Sequence, residues 1–543
     1  MSSGRRIFLN HFFTGCCAAS VLLLVVVLLL FLVPMMSKGL SAVFFRKTVE
    51  FDKMQFALFD RGNEARLNQH IEETKEARTP MFAVLERFSH GIDTELLEDE
   101  AKNAYRDYGD ELRYQDVPRD QFKLLRGEAK EIRDRFLDIL KSTDKTAIDE
   151  QMAALQDLHQ EKFDSTSIAG IFEAAEEYTS IVKTVDLNLR DEYAAELETV
   201  KGELRKLFGP LPGEPEPPLA QDQFGATRWD VAQRHLNFLL YQTVWEQPEG
   251  SDVMVARHIR RDDPEEGVFG GTELAPLFGM VENNLLSMLE PKPAVYWQYW
   301  IDDSTPGHFF GGVGPEILGT LTLTVLSMVF AIPLGIISAA YLVEYAGDNV
   351  IIKIIRTCIN TLAGVPSIVY GLFGLAFFVV IVGLPCILAA SLTLALLVLP
   401  VIIRASEEAI RAVPQTYKEA SLALGAGKFR TFMAVTLPAA GPGILTGIIL
   451  SLSRAAGETA AILFAGAVAL GPIPEYGRGF KWLFQPTRAL SYGAYDITVG
   501  DRLAMQVPHN QYGMVMTLIL LVLILNVAAI LIRSHMSKKL QGF

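Results

Sequence analysis

The sequence predicts an all-α membrane protein with six transmembrane helices and a large, mainly helical, water-facing domain between the first and second. Three observations carry that prediction. Six stretches are apolar over the roughly 20 residues a bilayer requires, at about 17–36, 316–343, 364–382, 387–403, 443–470 and 512–532. Charge is divided by region: residues 37–310 hold 32 basic and 53 acidic side chains, a balance of −21, and the remainder holds 17 and 10, a balance of +7. The acidic region carries 3.6-residue periodicity and little alternation of the strand type. Its 543 residues and net charge of −14 would on average suit a soluble protein, but the split excludes a single soluble enzyme. The negative sign of the polar region excludes a nucleic-acid binder.

The first element, residues 1–36, reads as a short cytoplasmic N-terminus and a membrane anchor. Arg5 and Arg6 before the apolar run match a twin-arginine export pattern. The run is longer than the hydrophobic part of a signal peptide, however, and no small-x-small cleavage site follows, so an uncleaved anchor is expected. Basic residues in short flanking segments set direction. Arg5 and Arg6, Lys353 and Arg356, the group Arg404, Arg411, Lys418, Lys428 and Arg430, and the tail Arg533, Lys538 and Lys539 all fall on one side if both termini are cytoplasmic. The acidic domain, 37–308, then lies outside. Cys16, Cys17, Cys358 and Cys386 sit in or beside apolar runs, so no disulfide framework holds that domain.

Within the domain, Ile132, Phe136, Ile139 and Leu140 share one helix face, and 168–207 forms a long run without proline. A helical bundle is expected over 45–208. The segment 209–218, with five prolines, makes a stiff linker, and a smaller lobe follows to 305. His159, His235, His258 and His308 lack ligand spacing, so no metal site is expected. A solvated structural spacer and a docking or sensing domain both fit this composition.

Residues 309–543 contain the motifs. The cytoplasmic segment 404–442 includes Glu419-Ala-Ser-Leu-Ala-Leu-Gly425, nine residues, and then Val435-Thr-Leu-Pro438. Pro414 can open a short helix and Gly425 can end it in the left-handed conformation. Further on, Arg454 and Glu458 fall inside the apolar run 443–470, with Ser451 a turn earlier and Thr459 adjacent. Ionisable residues at membrane depth are costly and mark function by default. Spacing i, i+4 would put the pair on one helix face, and Gly457 would permit a close helix approach. Gly425-Ala-Gly-Lys428 is no phosphate loop, because Phe429 stands where Ser or Thr is needed.

The 419–438 pattern resembles the EAA loop of ABC importer permeases, with Ser421 for the second Ala and Val435 for Ile. Pro442-Gly-Ile-Leu-Thr-Gly447, Arg454-Ala-Ala-Gly-Glu-Thr-Ala460, Gly311–Thr320 and Val365–Leu372 are similar to phosphate importer permeases of the PstA type. Ala461 departs from the proline usual there. The resemblance covers about 308–533. It implies a type I permease fold and a transport subunit, not an enzyme, in a bacterial inner membrane. It further implies a second permease subunit, an ATPase dimer that uses ATP in place of any cofactor here, and an external phosphate-binding protein. Glu419, Ala420 and Gly425 would couple to the ATPase. Arg454, Glu458, Ser451 and Thr459 would line the pathway. Alternatives are a permease for sulfate, molybdate or phosphonate, and a membrane sensor signalling through its external domain.

Overall fold

The computed structural model describes residues 3–159, 161–247, 253–347, 349–469, 471, 473–477, 479–499 and 507–541. The side chains of 3–10, 220, 221, 508 and 539–541 lie outside that description, and with them the expected anchoring charges Arg5, Arg6 and Lys539. The chain forms two compact units, Arg46–Pro293 and the combination of Met1–Phe45 with Ala294–Phe543.

In the membrane unit, α1 (Ser3–Leu40) leads in. The polar unit follows, with α2 (Val49–Phe59), α3 (Glu64–Ile92), α4 (Thr94–Tyr114), α5 (Arg119–Lys141), α6 (Lys145–Gln156), α7 (Ala169–Thr184), α8 (Arg190–Phe208), α9 (Trp229–Leu240) and α10 (Ala275–Leu289). The periodicity of α5 does what it predicts: Ile132, Phe136, Ile139 and Leu140 are all buried, in a core shared with α4, α6 and α7. The proline-free run 168–207 forms two helices, because the Asp186 carboxylate accepts the Asn188 N–H and turns the chain between α7 and α8. A second core joins α3, α8, α9 and α10. A hairpin pairs Tyr241–Glu246 with Val255–Arg260, antiparallel.

At the centre of this unit Arg78 is buried on α3. Its Nε and Nη2 donate to the Met288 carbonyl at 2.9 and 2.7 Å, and its Nη1 donates to the Phe208 carbonyl at 3.3 Å. Met288 and Phe208 end α10 and α8, so one guanidinium satisfies carbonyls at two helix C-termini. Glu50, 1% exposed, lies 2.9 Å from Nη2 and holds the charge.

The membrane unit continues with α11 (Gly314–Ala340), α12 (Val350–Leu362), α13 (Ser367–Gly374), α14 (Val380–Val382), α15 (Ile387–Arg411), α16 (Gln415–Ala423), α17 (Lys428–Thr431), α18 (Leu437–Gly457), α19 (Leu490–Val499) and α20 (Pro508–Gln541). Among the described residues, five helical stretches are long and apolar enough to cross a membrane: His11–Leu40, Gly314–Tyr345, Ile387–Arg411, Lys428–Gly457 and His509–Lys538. A sixth candidate is a pair, Val350–Ala363 and Ser367–Val382, bent by 102°. Its break coincides with Pro366, which caps α13 and keeps the residue before it out of helix. In α1, Val21 through Phe31 are exposed, a lipid-type surface. In contrast, α15 is central and packs its apolar length among its neighbours.

Small residues set how α18 meets α15. A Cβ on Gly443 would come within 2.7 Å of Ala409 Cβ, and one on Gly447 within 2.3 Å of Ala405 Cβ. Glycines four apart facing alanines four apart bring the two backbones together. Gly457, the glycine expected to serve this purpose, has open space around it, because it is the last residue of its helix.

Candidate functional site

The 414–438 segment forms as its residues dictate. Pro414 caps α16, and Gly425 takes φ +84° just after it, the left-handed position that a residue with a Cβ resists. Glu419 and Ala420 are exposed. Around them Tyr417, Leu422, Leu424 and Phe429 are also exposed, Leu424 by 89%. Together these side chains make an exposed apolar patch at the tip of a short helix.

Two polar contacts tie α16 back into the membrane unit. Lys418 is buried and its Nζ lies 2.7 Å from Glu344, at the end of the α11 span. Ser421 Oγ lies 3.0 Å from Thr431 Oγ1 on α17. From α17 the chain enters α18 through a π-helical turn, Phe432–Thr436, a single wider turn of the kind that occurs inside α-helices. α16 is therefore connected inward twice, through Lys418 to α11 and through α17 to α18.

At the far end of α18 stand Arg454 and Glu458. The predicted apolar helix 443–470 stops at Gly457, and Glu458 is its extended C-cap (φ −75°, ψ 122°). Glycine and the turn that follows explain the stop. The two charges therefore do not share a helix face at mid-span. Arg454 occupies the last turn, and Glu458 folds back so that Oε1 lies 3.7 Å from Arg454 Nε. That distance suits an ion pair and exceeds a hydrogen bond, and among the described residues the guanidinium has no hydrogen-bond acceptor. Being in the last turn, Arg454 also meets the negative end of the helix dipole.

The other expected pathway residues are placed around this pair. Ser451 is fully buried, and its Oγ has no hydrogen-bond partner among the described residues. Thr459 is half-buried and its carbonyl accepts the N–H groups of Ile462 and Leu463, at 3.2 and 3.1 Å. The Glu458 carbonyl accepts Ser491 Oγ of α19 at 3.2 Å. Near the start of α11 lies a second polar cluster. Arg488, buried, donates through Nε and Nη2 to the Gly471 carbonyl at 3.1 and 2.7 Å and through Nη1 to Asp303. Glu316, 0% exposed, has Oε1 3.6 Å from Arg488 Nη1 and 3.4 Å from Ser304 Oγ. His308 is buried beside them with φ +58°, and burial together with the Arg488 charge lowers its pKa to about 4.

Sequence reading missed Lys418–Glu344 and the Arg488 cluster. The first has a weak signal, an acid closing the α11 span and a base in the polar segment after α15. The second has none, since its members lie up to 185 residues apart. In the polar unit His70, Glu73 and Glu290 bring ligand-type atoms within 4.8 Å of one another. Lys292 Nζ already sits 2.8 Å from Glu290 and 3.4 Å from His70, so a cationic group occupies that position.

A family profile described as "binding-protein-dependent transport system inner membrane component" matches residues 331–542. The phosphate transport system permease protein PstA 1 of Mycobacterium tuberculosis is 41% identical over 31% of this chain and 55% of its own length. The corresponding PstA of Yersinia pestis is 35% identical over 33% of this chain and 68% of its own. At the higher identities the chain spans little more than half the length of the curated relatives it matches. A solved chain of the MetNI methionine ABC transporter, inward facing, aligns with 41% of this chain and 94% of its own, at 20% identity and a TM-score of 0.31.

Proposed function

This chain belongs to the family of binding-protein-dependent transport system inner membrane components, and from that premise we propose that it is the permease subunit of an ATP-driven importer for inorganic phosphate. It lies in the plasma membrane with both termini cytoplasmic. It pairs with a second permease subunit, an ATPase dimer, and an external phosphate-binding protein, and the ATPase supplies the energy. The observation that carries this reading is α16, an exposed helix with an apolar tip, tied by Lys418–Glu344 and Ser421–Thr431 to the helices that lead to Arg454.

The chemistry follows from those contacts. Closure of the ATPases moves α16 through Glu419, Ala420 and the turn at Gly425. The displacement passes through α17 and the π-turn into α18, and its far end carries Arg454. A phosphate dianion leaving water needs fixed positive charge and several donors, which a planar guanidinium supplies. Glu458 holds Arg454 by a loose ion pair and competes only weakly with the anion. Ser451 and Thr459 add hydroxyl donors. Movement between outward- and inward-facing states delivers the anion to the cytoplasm.

The test is uptake of labelled phosphate into vesicles containing the complete importer. Arg454→Ala abolishes uptake while the subunits still co-purify, and Arg454→Lys retains part of it. Uptake by Arg454→Ala equal to wild type would refute the pathway role. Unlabelled sulfate, molybdate or phosphonate leaves phosphate uptake unchanged; strong competition by one of them replaces the substrate assignment with that oxyanion.

A further inference from the structure

Between α12 and α15 lies a cavity of about 360 Å³ that plays no part in the pathway argued above. Its walls are Arg356 and Asn360 from α12, and Arg404, Glu407, Glu408 and Arg411 from α15. The α15 residues fall at i, i+3, i+4 and i+7, a single helix face. The charges do not cancel. Glu407 Oε1 lies 3.1 Å from Arg356 Nε and 2.7 Å from an Arg411 Nη2, so one carboxylate oxygen serves two guanidinium groups. Arg404 is exposed and makes no ion pair among the described residues. Three arginines against two glutamates leave the cavity cationic.

A cationic, guanidinium-lined cavity selects phosphate oxygens, which accept planar paired hydrogen bonds. Free phosphate and a phospholipid headgroup share that chemistry. The rest of α12 decides between them. Opposite Arg356, the helix exposes Ile351, Ile354 and Ile355, followed by Leu362. Its axis is bent 102° from the segment that follows, as in a helix lying along a bilayer surface with its apolar face down. One helix thus offers an acyl-chain surface on one side and part of an arginine cavity on the other. Basic pockets between membrane helices are recurrent sites for anionic headgroups.

We propose that the cavity between α12 and α15 binds the phosphate headgroup of an anionic membrane lipid. The bound lipid bridges the two helices at the end of α15, immediately before α16, and braces the base from which α16 projects. The site depends on the arginines and the cavity and is independent of which solute the protein carries.

The purified full-length chain, held in detergent with equal phosphatidylglycerol and phosphatidylcholine, is examined by native mass spectrometry for retained lipid. Phosphatidylglycerol is retained selectively. Arg404→Gln weakens retention about five-fold, the effect of one arginine near an anionic headgroup, and Arg404→Lys restores it. Arg533→Gln, a loss of charge elsewhere, leaves retention intact. Arg404 has no ion pair to lose, so its substitution leaves folding undisturbed. Equal retention of the two lipids, or an unchanged response to Arg404→Gln, overturns the proposal. So does displacement of phosphatidylglycerol by millimolar inorganic phosphate, which would make the cavity a site for the free anion.

Discussion

Each unit of the molecule buries an arginine beside a buried glutamate, and the two pairs are built differently. In the polar unit Glu50 is fully engaged: Arg78 and Lys53 both lie 2.9 Å from Oε1, and the Gly225 N–H reaches Oε2 at 3.4 Å. In the membrane unit Glu316 has one oxygen 3.6 Å from Arg488, and the other accepts no hydrogen bond among the described residues. Arg488 is itself well satisfied, by the Gly471 carbonyl and Asp303. Burying a charge is repaid only when its hydrogen-bonding capacity is met. The polar unit therefore uses its pair to hold helices together, whereas the membrane unit carries Glu316 at a cost.

The largest test of this contrast is Arg78→Ala. It removes the guanidinium from the carbonyls ending α8 and α10 and leaves Glu50 buried with only Lys53 to offset it. Breaking a buried pair in this way costs about 3–5 kcal/mol. Hydrogen exchange on the full-length chain reads the loss as faster exchange across α3, α8 and α10. Unchanged protection there would show that the helix ends are held by their apolar core alone.

A smaller effect, and one of opposite location, comes from His308. Its pKa falls from 6.5 to about 4 because it is buried and faces Arg488, with Asp303 only partly offsetting this. Unfolded protein takes up a proton at this residue below pH 6.5, and the folded protein does so only near pH 4. Stability is therefore complete above pH 6.5 and declines as pH falls toward 4. The shift is worth up to about 3 kcal/mol. His308→Asn, which tolerates positive φ, flattens the decline in unfolding temperature between pH 6.5 and 4. An identical slope in wild type and variant assigns the decline to other groups.

What was legible in the sequence follows the same division. Local patterns came through: the buried face of α5, the Pro414 opening and the Gly425 stop of α16. Each depends on neighbours within a turn or two, where spacing and backbone preference suffice. Arg454 and Glu458 stand out as charges in an apolar run, but hydropathy continues past Gly457 and so places them mid-helix, whereas the helix ends at Gly457. Apolar composition measures burial and does not record where backbone hydrogen bonding ends. The two buried arginines gave no signal. Arg78 meets Met288 across 210 positions, and nothing in the composition around either residue reports the other.

Glu316→Gln and Glu50→Gln form the smallest and most discriminating pair. Both replace a buried carboxylate by a neutral group of nearly the same shape. At Glu50 the substitution removes half of an ion pair at 2.9 Å and leaves Arg78 buried without a counter-charge, so stability falls by about 1–3 kcal/mol. At Glu316 it gives up one contact at 3.6 Å and one weak hydrogen bond, and it removes a desolvated charge whose second oxygen is unsatisfied. Arg488 keeps Asp303 and the Gly471 carbonyl in either case. The change at Glu316 is therefore less than about 1 kcal/mol, and it is neutral or stabilising in sign. Denaturation of the two full-length variants, followed separately in each unit, measures the difference. A loss at Glu316 as large as that at Glu50 would mean that the membrane unit draws full support from a charge it satisfies on one side only.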